Sequence, residues 1–153
     1  MKKKKAHSAK TISNKRARFD YNLDQTVVAG IVLNGAETKS LRYGHAILRG
    51  AFCTIKDDEL WLNNMQINPL KTNMRDLPEA DRLRARKLLV THKQLEMFAA
   101  ARKQGENIIP IKLLTETRHI KVELGIGRGK KKYDKRQTIK KRDQLRQAKE
   151  IIV

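Results

Sequence analysis

The chain has 153 residues and a formal net charge of +19, from 35 Lys and Arg against 16 Asp and Glu. That length suits one small domain with extensions, and so strong a basic excess points to a polyanionic partner, most often nucleic acid. A single cysteine, Cys53, excludes an internal disulfide. No apolar run reaches the roughly 18 residues that a membrane span needs, and no apolar core follows Lys2-Lys3-Lys4-Lys5 to make it a secretory signal. A soluble cytoplasmic protein is expected.

Residues 1–18 hold eight Lys and Arg and no acid, and residues 128–153 hold eleven against three acids. The stretch between is nearly balanced, with sixteen basic and thirteen acidic residues. The pattern predicts three parts. A basic arm over residues 1–15 has no apolar periodicity and is expected to be disordered when free. A barrel domain follows over 16–127. A basic tail over 128–153 completes the chain.

Residues 25–33 are rich in β-branched and apolar side chains (Thr26, Val27, Val28, Ile31, Val32) and predict a strand, with Gly30 marking a bulge or bend. Asn34-Gly35-Ala36-Glu37 reads as a helix start, with Asn34 capping and Glu37 reaching back. Gly44 ends that helix. Residues 46–55 and 60–65 predict a hairpin around Lys56-Asp57-Asp58-Glu59, with a bend at Gly50. Residues 68–80 carry Pro69 and Pro78 and predict loop. Thr91-His92-Lys93-Gln94 is a second capping box; Leu95, Phe98, Ala99 and Arg102 then share a helical face, and Gly105 follows the end. Residues 108–114 and 120–126 predict a last hairpin, its second strand turning Ile120, Val122, Leu124 and Ile126 inward. The fold class is mostly β with inserted helices. A small closed antiparallel barrel of the OB type fits these short strands, because closure removes exposed edges.

Signals for catalysis are weak. Gly125-Ile126-Gly127-Arg128-Gly129-Lys130 lacks P-loop spacing, and no Ser or Thr follows Lys130 to hold magnesium. A flexible hinge from barrel to tail is expected there. His7, His45, His92 and His119 are scattered, so no metal-ligand spacing occurs. Cys53 reads as a buried small hydrophobe. The reading assigns no catalytic residue, no metal and no cofactor, and favours a binding protein over an enzyme.

Lys39, Arg42, Arg84, Arg86 and Lys87 lie beside apolar residues and read as solvated surface or as phosphate contacts. Arg84 and Arg86 are expected in one turn ahead of a helix. Glu37 suits a helix cap, an acceptor for base or ribose donors, or both. Leu88 suits the core or an exposed base, and Trp61 the core. Tyr133 stands among Lys130, Lys131, Lys132, Lys135 and Arg136 with nothing apolar to bury it, which suits stacking on a base. Asp134-Lys135-Arg136-Gln137 offers a capping box for a tail helix, marginal alone in water. Such a tail is expected to be disordered when free and to order against a polyanionic wall. Ile151 and Ile152 near its end suit packing in a groove.

Four ordered motifs resemble one family. Gly35-Ala36-Glu37-Thr38-Lys39-Ser40-Leu41-Arg42 looks like the G-x-E-[VI]-K-S-L-R signature of the SsrA-binding protein (small protein B) family. Asn14-Lys15-Arg16-Ala17 with Asp20-Tyr21 is similar to its entry segment. Asp81-Arg82-Leu83-Arg84-Ala85-Arg86-Lys87-Leu88-Leu89 resembles its D-P-x-R-x-R-K-L-L run, and Gly129-Lys130-Lys131-Lys132-Tyr133-Asp134-Lys135-Arg136 its tail motif. The resemblance implies an OB-type barrel that binds the tRNA-like part of transfer-messenger RNA (tmRNA) and helps bring it to ribosomes stalled without a stop codon. It implies RNA binding by Asn14, Lys15, Arg16, Glu37, Lys39, Ser40, Arg42, Arg84, Arg86, Lys87, Leu88, Lys130 and Lys131. It implies a ribosome-binding tail with Lys132, Tyr133, Asp134, Lys135, Arg136, Ile151 and Ile152, which enters the vacant mRNA channel near the small-subunit decoding region. A monomer is assumed. The charge pattern alone also suits a basic OB-barrel ribosomal protein held permanently in rRNA.

Overall fold

The computed structural model describes residues 11–151, without the side chain of Ile151. Most of the expected N-terminal arm and Ile152 lie outside the described residues. The elements, in chain order, are β1 (Ile12–Ser13), α1 (Ala17–Asp20), β2 (Tyr21–Ile31), α2 (Gly35–Arg42), β3 (Ala46–Ile47), β4 (Phe52–Lys56), β5 (Glu59–Asn63), β6 (Gln66–Ile67), a short 3-10 turn (Glu79–Asp81), β7 (Arg86–Leu89), α3 (His92–Lys103), β8 (Asn107–Leu114), β9 (Lys121–Gly129) and α4 (Lys132–Ile151).

Seven strands form one antiparallel sheet in the order β1-β8-β9-β2-β7-β5-β4, and β3 pairs with β6. This is the expected class, mostly β with inserted helices and of OB type. The sheet rolls until β4 packs against β8, but no ladder joins those two strands. The barrel is therefore open, where closure was expected. One reason is visible in the register: Ile12 and Ser13 pair with Leu113 and Lys112, so β1 occupies part of the outer edge of β8. This also moves the arm boundary, because Ile12 and Asn14 are buried inside the segment 1–15.

The alternation in β9 holds, with Ile120, Val122, Leu124 and Ile126 all buried. They meet Leu41, Leu60, Leu62, Ile67, Phe98 and Leu113 in the core. Each such aliphatic side chain contributes about 1.5–3 kcal/mol on burial. Trp61, expected in the core, is only half-buried, opposite Thr54 and Lys87. The β4–β5 turn places Asp57 and Asp58 at positive φ (52° and 56°), as a tight hairpin turn of this hand demands.

Three further expectations fail for local reasons. The irregularity in β2 falls between Leu23 and Gln25, not at Gly30. Residues 86–89 form a strand between β2 and β5, not a turn ahead of a helix; the burial pattern of Arg86-Lys87-Leu88 alternates, but a charged residue takes an inward position. The glycines at 125, 127 and 129 form no hinge, since they pair with β2 as far as Tyr21↔Gly129. Gly127 is required there by close approach: a Cβ would lie 1.7 Å from the Asn22 carbonyl oxygen. Among the described residues, no helix is long and apolar enough to cross a membrane.

Candidate nucleic-acid interface

The site is built on α2. Asn34 Oδ1 accepts from the Glu37 N–H (2.8 Å), and Glu37 Oε1 accepts from the Asn34 N–H (3.2 Å), completing the expected capping box. The same carboxylate receives Arg84 on Oε1 and Arg86 on Oε2. Glu37 and the Arg86 side chain are both fully buried. The Arg86 guanidinium also donates to the carbonyls of Met65 (2.7 Å), Arg84 (3.1 Å), Asp81 (3.2 Å) and Arg82 (3.1 Å). One side chain thus closes the 81–86 loop over the end of α2.

Burial by itself pushes the Glu37 carboxyl up. The bonds from Arg86, the Asn34 backbone and Arg84, with the charge of Arg86, outweigh it and hold the group below the usual glutamate range. Burial drags the Arg86 guanidinium down, and Glu37 opposes that pull. A buried pair of this kind is stable only because its remaining hydrogen bonds are met.

A second bracket sits beside it. Asn73 Nδ2 donates to Ser40 Oγ (3.1 Å) and to the Ala36 carbonyl (3.1 Å), while its Oδ1 accepts from the Leu70 N–H (2.6 Å). Ser40 and Asn73 are buried. Sequence reasoning missed Asn73, although Asn in a loop signals a side chain that bonds backbone. Arg42 reaches the β8–β9 connection, donating to the carbonyls of Thr115 (2.9 Å), Thr117 (3.3 Å) and Arg118 (2.8 Å). Hence α2, residues 70–76, residues 81–86 and residues 115–118 form one held surface.

The residues implied by the family resemblance divide here. Glu37, Ser40, Arg86, Leu88 and Asn14 are buried; the first four lie behind the surface, whereas Asn14 bonds the carbonyl of Leu48 and those of Pro110 and Ile111 in β8. Lys39 is exposed, and its Nζ lies 3.4 Å from Thr72 Oγ1. Arg84 keeps about a third of its side chain in solvent. Lys87 is half-exposed on β7 and pairs with Glu59 at 2.8 Å. Lys15 and Arg16 are exposed at α1, away from α2.

The tail meets the body at α1. The Lys130 N–H donates to the Asp20 carbonyl (2.8 Å), and Lys135 Nζ lies 3.3 Å from the Asp20 carboxylate. Arg16 approaches the same carboxylate at 3.6 Å. The guanidinium groups of Arg16 and Arg142 lie 4.8 and 5.6 Å from the Phe19 ring centre. The helix starts at Lys132, two residues before the expected capping box, which leaves Asp134 in the first turn, where a carboxylate suits the helix dipole. Lys131, Lys132, Tyr133 and Arg136 are exposed, as is every residue over 140–150.

Cys53 is buried, and burial pushes its thiol up, away from nucleophilic use. Among the described residues no group of three His, Cys, Asp or Glu is placed to hold a metal ion.

The model of one family, described as SmpB protein, matches residues 11–153. The SsrA-binding protein of Staphylococcus aureus (strain JH1) is 44% identical over 140 residues, 91% of this chain and 90% of that protein. The SsrA-binding protein of Staphylococcus epidermidis (strain ATCC 12228) is 44% identical over 144 residues, 93% and 91% of the two chains. Among solved structures, a chain from "tmRNA-SmpB: a journey to the center of the bacterial ribosome" superposes with a TM-score of 0.65 at 34% identity, covering 84% of this chain and 94% of that one. Buried supports, open barrel and basic tail all lie within one continuous match, and the chain belongs to the SmpB family.

Proposed function

We propose that this chain binds the tRNA-like part of tmRNA and delivers it to stalled ribosomes for trans-translation, as a cytoplasmic, monomeric RNA-binding protein and not an enzyme. The observation that carries this reading is that sequence and fold agree over the same residues with SsrA-binding proteins and with a chain from a tmRNA–SmpB–ribosome structure. Lys39 and Arg84 supply charge on the held surface, Arg42 fixes its far edge, and Lys87 adds charge on the outward face of β7 beside Glu59. Glu37, Ser40, Arg86 and Leu88 position that surface from within, and Asn14 holds the start of the chain to β8. Lys15, Arg16, Lys130 and Lys131 add charge where the tail leaves the body. The tail, with Lys132, Tyr133, Asp134, Lys135, Arg136, Ile151 and Ile152, probes the empty mRNA channel. Its light attachment to the body supports a segment that exchanges protein contacts for rRNA.

Sequencing the RNA that co-purifies with the full chain tests this reading. One tmRNA should dominate. Recovery of mainly rRNA, with the protein retained on salt-washed ribosomal subunits, would replace the reading with that of a ribosomal protein.

A further inference from the structure

The two basic ends of the chain meet the β8–β9 hairpin at opposite poles. At one pole Asn107 pairs with Gly127, and the chain runs on through Gly129 into the tail. The helix α1 lies at this pole too, since the Lys130 N–H donates to the Asp20 carbonyl. At the other pole Leu114 pairs with Lys121, and residues 115–120 connect the strands. The described chain begins at this second pole. Ile12 pairs with Leu113 and Ser13 with Lys112 in antiparallel register, so the chain ahead of Ile12 heads toward Leu114 and residues 115–118. With eight residues in β8, at about 3.3 Å each, the poles lie roughly 23 Å apart.

The ladder runs out where the basic segment starts. Past Leu113, β8 has only Leu114 left, so no strand edge remains there for residues 1–10. Those ten residues hold five lysines (Lys2, Lys3, Lys4, Lys5 and Lys10) and no acid, and their apolar side chains are Met1, Ala6 and Ala9. A segment with so little to bury adds nothing to a core, and so dense a run of one charge suits a polyanion. The folded body offers little charge at the same pole. Arg42 is engaged with the carbonyls of Thr115, Thr117 and Arg118, which ties this connection to α2. Within residues 115–121, exposed Arg118 and Lys121 stand against exposed Glu116. The five lysines outweigh that small balance and make the edge strongly positive.

We infer that Lys2, Lys3, Lys4, Lys5 and Lys10 bind backbone phosphates of an RNA seated on the α2 surface, at the edge formed by residues 115–118. The N-terminal segment thus serves the RNA held by the body, while the tail leaves from the opposite pole toward another stretch of polyanion. This rests on the tmRNA reading and adds to it a contact far from α1 and the tail.

The test keeps the full chain. Affinity for a transcript of the tRNA-like part of a tmRNA is measured against salt for the wild type and for a variant with Lys2→Gln, Lys3→Gln, Lys4→Gln, Lys5→Gln and Lys10→Gln. Loss of these phosphate contacts should flatten the slope of log affinity against log salt by roughly three to four units, and weaken binding at about 0.1 M salt at least tenfold. The thermal transition should not move. An unchanged slope overturns the inference. A nitroxide on Ala6→Cys reads the location, since buried Cys53 stays unlabelled. With the transcript bound, it should broaden the amide signals of Thr117, Arg118 and His119 and spare those of Ala17–Asp20. Broadening centred on α1, or spread evenly over both poles, also overturns the inference. The RNA that co-purifies with the wild type is identified in parallel. Mainly rRNA, with slope and broadening as expected, fails the tmRNA reading alone. Mainly tmRNA, with an unchanged slope, fails this inference alone.

Discussion

Around Glu37, charged groups are drawn out of water and bonded on every side. Around Asp20, the same residue types meet in solvent. Glu37 and Arg86 are fully buried and share hydrogen bonds with Asn34, Arg84 and four backbone carbonyls. Asp20 keeps 29% of its side chain exposed and touches Lys135 and Arg16 at 3.3 and 3.6 Å. The first arrangement is hard to remake once broken, so it suits a surface that must stay in one shape. The second is loose, so it suits a segment that must leave. Charge in this protein serves architecture where it is buried and stays open to exchange its partners where it is not.

The largest effect expected is from Glu37→Ala. It leaves Arg86 buried without its counter-ion, which costs about 3–5 kcal/mol in stability. Urea unfolding measures it. A loss under 1 kcal/mol would show that the 81–86 loop can open and hydrate Arg86, and the contrast with Asp20 would fall. Arg86→Lys should be nearly as harmful, since an ammonium cannot hold Glu37 and the carbonyls of Met65 and Asp81 together.

Acid should expose the same cluster. Glu37 is held below its usual range in the folded state. Its share of stability is therefore present above the unfolded glutamate value of about 4.3 and lost as pH falls through the folded value. Glu37→Gln lacks that share from the start. The gap in urea midpoint between wild type and Glu37→Gln should be widest near neutrality and shrink as pH falls from about 5 toward 3. A gap independent of pH would place the cost in packing, not in charge.

The two regions were unequally legible. Asn34 and Glu37 announced a cap because capping is local, four residues within one turn. The alternation in β9 and the hairpin at Asp57-Asp58 are local for the same reason. Nothing local says that Glu37 is buried. That fact arises from Arg84 and Arg86, 47 and 49 residues away, and an arginine is expected at the surface until its partners are seen. The strand over 86–89 was hidden for the same cause, since its first inward position is charged. Gly125 and Gly127 read as flexibility, yet the chain needs Gly127 because β2 passes so close. Pairwise approach of distant strands leaves no trace in a single segment.

Binding to RNA should sort the cations differently from stability. Lys39→Ala with Arg84→Ala removes two charges from the held surface while leaving the Glu37–Arg86 pair in place. The slope of log affinity for a tRNA-like RNA against log salt should flatten by roughly one to two units. Melting should move far less than in Glu37→Ala. An unchanged slope would remove this surface from the interface and leave the tail to account for binding.

The smallest expected change in stability concerns Asp20. Asn in its place keeps the backbone bond from the Lys130 N–H and removes only the charge that faces Lys135 and Arg16. Exposed ion pairs contribute about 0.2–1 kcal/mol, and salt screens them. Asp20→Asn should therefore leave the thermal transition almost where it was. The direction of α4 is another matter, because Asp20 and Phe19 supply the charge and ring contacts that hold its first turns to α1. Spin labels at Lys121→Cys and Leu145→Cys, both exposed in the wild type, read that direction while buried Cys53 stays unlabelled. Asp20→Asn should broaden the distance distribution between them, and high salt should broaden the wild type in the same way. Deleting the residues after Arg136 should likewise spare the fold yet abolish peptide tagging on stalled ribosomes. A distribution equally narrow in Asp20→Asn and wild type would mean that Asp20 does not aim the tail. Weak contacts near Asp20 would then be incidental, and the path of α4 would be set by the chain leaving β9 at Gly129.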